Sequence, residues 1–153
     1  MPTKSLYTLA LLFSLSFAAN ASDPIFQASL TPEVAIHDRS TPITGLAVSV
    51  WGENPLKGLA FGFVNGTKGD SIGASIGLVN YADSHAGGQI GLFNNNDTES
   101  IGAQIGLINH IRDAKVGVQI GFINIIENNR TWFKDFPRSL APIMIFVNWR
   151  FDN

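Results

Sequence analysis

Gly87-Gly-Gln-Ile-Gly-Leu-Phe-Asn94, Gly102-Ala-Gln-Ile-Gly-Leu-Ile-Asn109 and Gly117-Val-Gln-Ile-Gly-Phe-Ile-Asn124 follow one another in this 153-residue chain. Gly73-Ala-Ser-Ile-Gly-Leu-Val-Asn80 precedes them, and Gly58-Leu-Ala-Phe-Gly-Phe-Val-Asn65 is a fifth copy. Gly45-Leu-Ala-Val-Ser-Val-Trp-Gly52 is a degraded sixth, with Ser49 where the others carry glycine. The five good copies start at 58, 73, 87, 102 and 117, so the period is 14 or 15 residues. Self-similarity at a fixed period is the signature of one structural unit used repeatedly.

Each copy alternates with period two, which marks a β-strand. Ile101, Ala103, Ile105 and Leu107 share one face, and Gly102, Gln104, Gly106 and Ile108 share the other. Polar, turn-rich links such as Tyr81-Ala-Asp-Ser-His85 and Asn95-Asn-Asp-Thr-Glu-Ser100 separate the copies. A nine-residue strand is ~30 Å long. The six residues that remain reach only ~20 Å fully stretched and cannot carry the chain back to the start of a parallel neighbour. A hairpin is within their reach. The expectation is therefore an all-β, antiparallel up-and-down meander of about eight strands, near 27–36, 43–51, 57–65, 72–80, 86–94, 101–109, 116–124 and 142–151. A soluble β-repeat sheet or solenoid is the alternative; a solenoid requires a shorter strand and a second strand in each coil. Pro32 falls on the apolar face of the first strand and weakens it.

The strands 72–80, 86–94, 101–109 and 116–124 contain no charged residue. A sheet with one face in water ordinarily carries charge there. A narrow closed barrel explains the pattern: Gly, Gln and Ser fit inside, and Ile, Leu, Val and Phe face lipid. Nine residues tilted near 40° span roughly 23 Å, close to the apolar band of an outer-membrane barrel. Trp51, Tyr81, Trp132, Phe133, Trp149 and Phe151 fall at strand ends or links, where interfacial girdles form, although the short links on both rims are unlike such barrels.

The first residues indicate export. Lys4 is followed by an almost unbroken apolar run over 6–19 and by Ala19-Asn20-Ala21, the small-x-small pattern cut by signal peptidase. The expected organisation is a signal peptide over 1–21 and a single β-repeat domain over 22–153. Removing Lys4 from ten basic residues leaves nine against twelve acidic ones, with no basic face for nucleic acid. Cysteine is absent, which removes disulfides, thiolate metal sites and a lipid-modified cysteine after the leader. Export without cysteine suits a bacterial envelope better than a small secreted eukaryotic domain.

The tandem Gly-x-Gln-Ile-Gly-Leu-x-Asn motif at 87–94, 102–109 and 117–124 resembles the surface-repeat proteins of leptospires and other Gram-negative bacteria. Ile43-Thr-Gly-Leu46 and the Phe136-Pro…Pro142 segment before the last apolar strand resemble their flanks. The likeness covers about 30–151 and implies an exported, envelope-associated protein. It carries no activity.

No catalytic, cofactor or metal site is expected. His37, His85 and His110 lack metal-ligand spacing. Asp83-Ser84-His85 places triad residue types side by side, but triads join distant segments and adjacent residues in a link rarely face one another. Asp97 and Glu99 read as solvated loop carboxylates. The Asn residues that close each copy read as turn initiators. The function expected is non-enzymatic: a small outer-membrane barrel with a structural or surface-interaction role and membrane lipid as its partner. The alternatives are a secreted soluble module that binds a partner or envelope glycan, and a small lipid-modifying outer-membrane enzyme.

Overall fold

A computed structural model describes residues 23–152, so the leader expected over 1–21 lies outside the described residues. The described chain is all β and folds as a solenoid of about four turns. Its elements are β1 (Phe26–Ser29), β2 (Ile43–Gly52), β3 (Leu56–Ile76), β4 (Val79–Ile90), β5 (Phe93–Ile126) and β6 (Ile143–Phe151). They form one sheet in chain order. β1 to β5 pair in parallel, and only β6 is antiparallel, against the end of β5.

This corrects the expected antiparallel meander and its closure as a barrel. Equivalent repeat positions lie beside one another: Gly45↔Gly58, Gly73↔Gly87 and Gly87↔Gly102. The short links suffice for a parallel return because a copy is not one straight strand. Residues 85–90 form a straight leg, Gly91 and Leu92 turn a corner, and 93–96 form a second, shorter leg. The six-residue leg is only ~20 Å long, which the remainder of the coil can retrace. The links treated as turns supply that return: Tyr81 pairs with Gly66 and Asn95, and Ala82 with Thr67 and Asn96. The first expected strand also shortens, from 27–36 to Phe26–Ser29, and bends away before Pro32.

The corner reverses the side-chain alternation. Leu78 and Val79 are adjacent yet neither faces inward, and Asn80 then turns in and is fully buried. Within the long leg the expected faces hold. Gln104 and Gln119 are 2% and 0% exposed, whereas Ile105 and Ile120 are 44% and 51% exposed.

The interior is consequently built of amides. Asn65 donates to Asn80, Asn80 to Asn94, Asn94 to Asn109 and Asn109 to Asn124, at 2.8–2.9 Å. The same Nδ2 groups donate to the carbonyls of Ile76, Ile90, Ile105 and Ile120, at the start of the Gly-Leu corner. A second ladder runs from Gln119 to Gln104 to Gln89. Gln104 and Gln119 also donate to the carbonyls of His110 and Ile125 on the facing leg, so one amide layer holds the two legs together. Aliphatic clusters close the ends, Ile43–Leu56–Ala60 at one and Ile111–Ala114–Ile126 at the other.

Two glycine columns follow from this packing. A Cβ at Gly91 would meet the Asn80 amide nitrogen at 2.6 Å, so the corner turns tightly over the ladder only if the residue has no side chain. Gly87 adopts φ +140 and lies against the Gly73 carbonyl, a conformation and an approach that other residues resist.

The amide core makes a measurable prediction. Asn94→Ala removes two donated bonds and the acceptor for Asn80. With each such bond worth about 1 kcal/mol net, and buried partners left unpaired, the loss should be about 2–4 kcal/mol. Leu107→Ala, at a position 54% exposed, should cost under ~1 kcal/mol. Chemical denaturation of both variants checks the order; a larger loss at Leu107 would mean that the apolar side is the core.

Candidate functional site

The outward-facing rows converge on the Gly-Leu corner. Phe61, Ile76, Ile90, Ile105 and Ile120 form one wall of a groove along the solenoid axis, and Phe63, Leu78, Leu92 and Leu107 form the other. Gly62, Gly77, Gly91, Gly106 and Gly121 make its floor. Val48, Val50 and Leu30 extend it towards the N-terminal end. Its volume is about 1160 Å³, somewhat above the ~300–1,000 Å³ of ordinary small-ligand clefts. No charged side chain lines it.

The floor is also closed to backbone pairing. Leu78, Leu92 and Leu107 donate their amides to Phe63, Leu78 and Leu92, and Gly77 and Gly91 donate to Ile90 and Ile105. The long leg beside the groove continues the apolar surface outward through Ile72, Ile101 and Val116, all exposed.

The opposite corner is polar. Lys68, Asp70, Asp83, Asp97, Glu99, Arg112, Asp113 and Lys115 are all exposed there. Lys115 pairs with Glu99 at 2.7 Å, and Asp97 accepts from Asn95 at 2.9 Å. The two carboxylates considered as a cation site are thus engaged separately. No cluster of three or more potential metal ligands occurs among the described residues.

The histidines are dispersed. His85 faces the interior, and its Nδ1 lies 2.6 Å from Ser71 Oγ of the preceding coil. Ser84 is therefore not its partner, and Asp83 instead accepts the Gly69 amide at 2.8 Å. The adjacent Asp83-Ser84-His85 types form no triad. His110 bridges Asn95 and Glu127 on the outer surface of the short leg. His37 uses its backbone to bond Gln27.

Sequence reasoning passed over Glu53, although its neighbours make it distinctive. It is 6% exposed. Its carboxylate is bound by Arg39 at 2.7 Å and by the Tyr81 hydroxyl, which also accepts from Trp51 at 3.0 Å. These residues come from three separate coils or loops, and only the parallel register between the coils of Trp51, Val64 and Val79 brings them together. The cluster pins the 30–42 loop to the first coils, and every group in it has a partner.

Comparison with protein-family models, with curated proteins and with solved structures finds no match to this chain.

Two titrations report on this geometry. Burial holds the His85 imidazole below its ordinary value. The unfolded chain therefore binds the proton more readily than the folded one, and stability is lost as pH falls below about 6.5 towards the lowered folded value. Denaturation midpoints measured from pH 7.5 down to pH 5 should drop in the parent chain and drop less in His85→Gln. An equal drop in both would remove His85 as the cause.

Burial, then the hydrogen bond to Glu53, pushes the Tyr81 hydroxyl up to about 12. Tyr81 is the sole tyrosine once residues 1–21 are gone. Tyrosinate absorbance of that chain should therefore rise near pH 12 rather than near the ordinary value of about 10, and Glu53→Gln should lower the midpoint. A midpoint near 10 in the parent would show that the cluster is open to water.

Proposed function

We propose that this chain is an exported, non-enzymatic protein of the bacterial outer envelope that lies on a membrane surface, with a structural or surface-interaction role. The observation that carries the reading is the polarity of each coil: an apolar Gly-Leu corner at one end and a charged corner at the other. Repeated over the coils, this makes the solenoid amphipathic along its whole length. An element with an apolar face and a polar face rests at the lipid–water boundary, its apolar side in the acyl region. The apolar leader over 6–19 and the likeness of the repeats to surface-repeat proteins support an envelope location. No helix among the described residues is long and apolar enough to cross a membrane.

A second reading keeps the same fold and replaces lipid by a protein: a secreted module whose apolar long leg covers a partner. Unpartnered apolar surface of this extent marks one kind of contact or the other.

Flotation with phosphatidylethanolamine–phosphatidylglycerol vesicles distinguishes them. The exported chain should float, and do so equally at low and high salt, because apolar attachment is not screened. Ile101→Gln combined with Val116→Gln should weaken flotation by about tenfold, the loss expected when two half-exposed aliphatic side chains no longer enter lipid. A parent chain that stays at the bottom of the gradient would sink the membrane reading in favour of the secreted module.

A further inference from the structure

We infer that the Gly-floored groove is a binding site for one acyl chain of a membrane phospholipid. This deepens the membrane reading and rests on it. The shape sets the first condition. Stacked coils repeat every 4.7–4.9 Å, so the five steps from Val48 to Ile120 give a channel of about 24 Å, the order of length of an extended long-chain acyl group. Its floor is one glycine wide. It suits a long, narrow and flexible occupant.

Chemistry sets the second condition. The walls at Ile90, Ile105, Leu92 and Leu107 offer no hydrogen-bonding group, and the floor amides are already used between coils. A sugar would lose its water without gaining partners, which disfavours it strongly. A peptide strand would find no free backbone edge on which to add. A second copy of the chain would need roughly 800 Å² from each side for a stable dimer, and the groove alone offers far less. A free fatty acid would bring a carboxylate, and no Lys, Arg or His lines the groove to meet it. A phospholipid leaves its headgroup in water and inserts only methylenes, and from Phe61 to Ile120 the groove is lined by apolar side chains and glycine alone, Ser29 and Ser49 lying at its N-terminal end.

The walls are preformed. Leu92 and Leu107 are 44% and 54% exposed, held on backbone fixed by the asparagine ladder below them. Occupation therefore requires no rearrangement of the coil. The energy comes from covering side chains that the fold holds in the open, and this is the economical arrangement for binding an apolar chain.

The experiment titrates the exported chain with lysophosphatidylcholines of increasing acyl length, each below its micelle concentration. One molecule should bind per protein. Affinity should rise about fourfold per added methylene, the factor that corresponds to burying one such group, and level off once the groove is full. Leu92→Gln combined with Leu107→Gln should weaken binding at least tenfold. The Ile101→Gln/Val116→Gln protein, altered outside the groove, should change less than twofold. A lysolipid with a diazirine at the acyl terminus gives a readout that needs no substitution: label should map to peptides containing Ile90–Leu92 and Ile105–Leu107. Affinity that climbs with no plateau, label spread over Ile72, Ile101 and Val116, or indifference to the Leu substitutions would each overturn the site. Vesicle flotation that persists in that case would leave the membrane reading standing alone. A dimer in sedimentation that the Leu substitutions dissociate, with lysolipid binding absent, would assign the groove to a second copy.

Discussion

The side-chain amide at the inner corner of each coil both donates to the next coil and accepts from the one before, and it seals the corner by bonding the carbonyl at its start. That double use works only if every coil presents asparagine at the same height and the coils repeat at the spacing of neighbouring strands. It fixes the register. A slip of one residue would bring Val79 or Phe93 inside and expel the amide. The same constraint shows where the repeat is allowed to vary. The coils differ in length at the charged corner, where the register shifts between Thr67 and Asp70 and between Ala82 and His85. From Val79 to Ala82 and from His85 to Ile90 the pairing is continuous, and the corners at 77–78 and 91–92 each span two residues.

A ladder must end, and both ends use residues outside the consensus. Asn65 has no asparagine before it; Ser49 Oγ donates to its side-chain Oδ1 instead, at 3.3 Å. Ser49, a departure from the repeat, is therefore the residue that starts the stack. At the other end Asn124 turns its donor to the Gly121 carbonyl, and Asn148 of β6 bonds the Asn124 backbone. β6 runs antiparallel, which stops the parallel ladder and covers an edge that would otherwise add further strands. The residues 138–140 bond the far side of β6 at Trp149 and Phe151 in turn.

The period, the β class and the inward Gln and outward Ile of the long leg were legible in the sequence because they depend on local alternation alone. The topology was not, because it depends on where a coil bends. Gly91-Leu92 looks like the interior of a strand when apolar residues are simply counted at every second position. The signal was present as a break in parity: Val79, Phe93, Ile108 and Ile123 are bulky residues assigned to a face otherwise made of Gly, Gln and Ser. On a straight strand they are misfits; beyond a bend they point outward. The Glu53 cluster was less accessible, since Arg39, Trp51, Glu53 and Tyr81 meet only through inter-coil register. Ser71 and His85 likewise became partners only once their two coils stacked.

Asparagine at the last position of five successive copies separates the two architectures better than composition does. Glycine, glutamine and charge-free strands suit a narrow barrel interior and a narrow solenoid interior equally. In a meander the five asparagines would alternate between opposite rims, and each would need its own turn as a reason to be there. In a parallel stack one reason serves all five, because each is the partner of the next. Period-two alternation in the long leg puts Ile90, Ile105 and Ile120 outward whether the strand closes a barrel or bends into a coil. What the bend adds is the second row, Leu78, Leu92 and Leu107, set opposite the first across a glycine floor. A barrel wall would present those residues as a smooth apolar band, whereas the solenoid presents them as a channel with two sides and a direction.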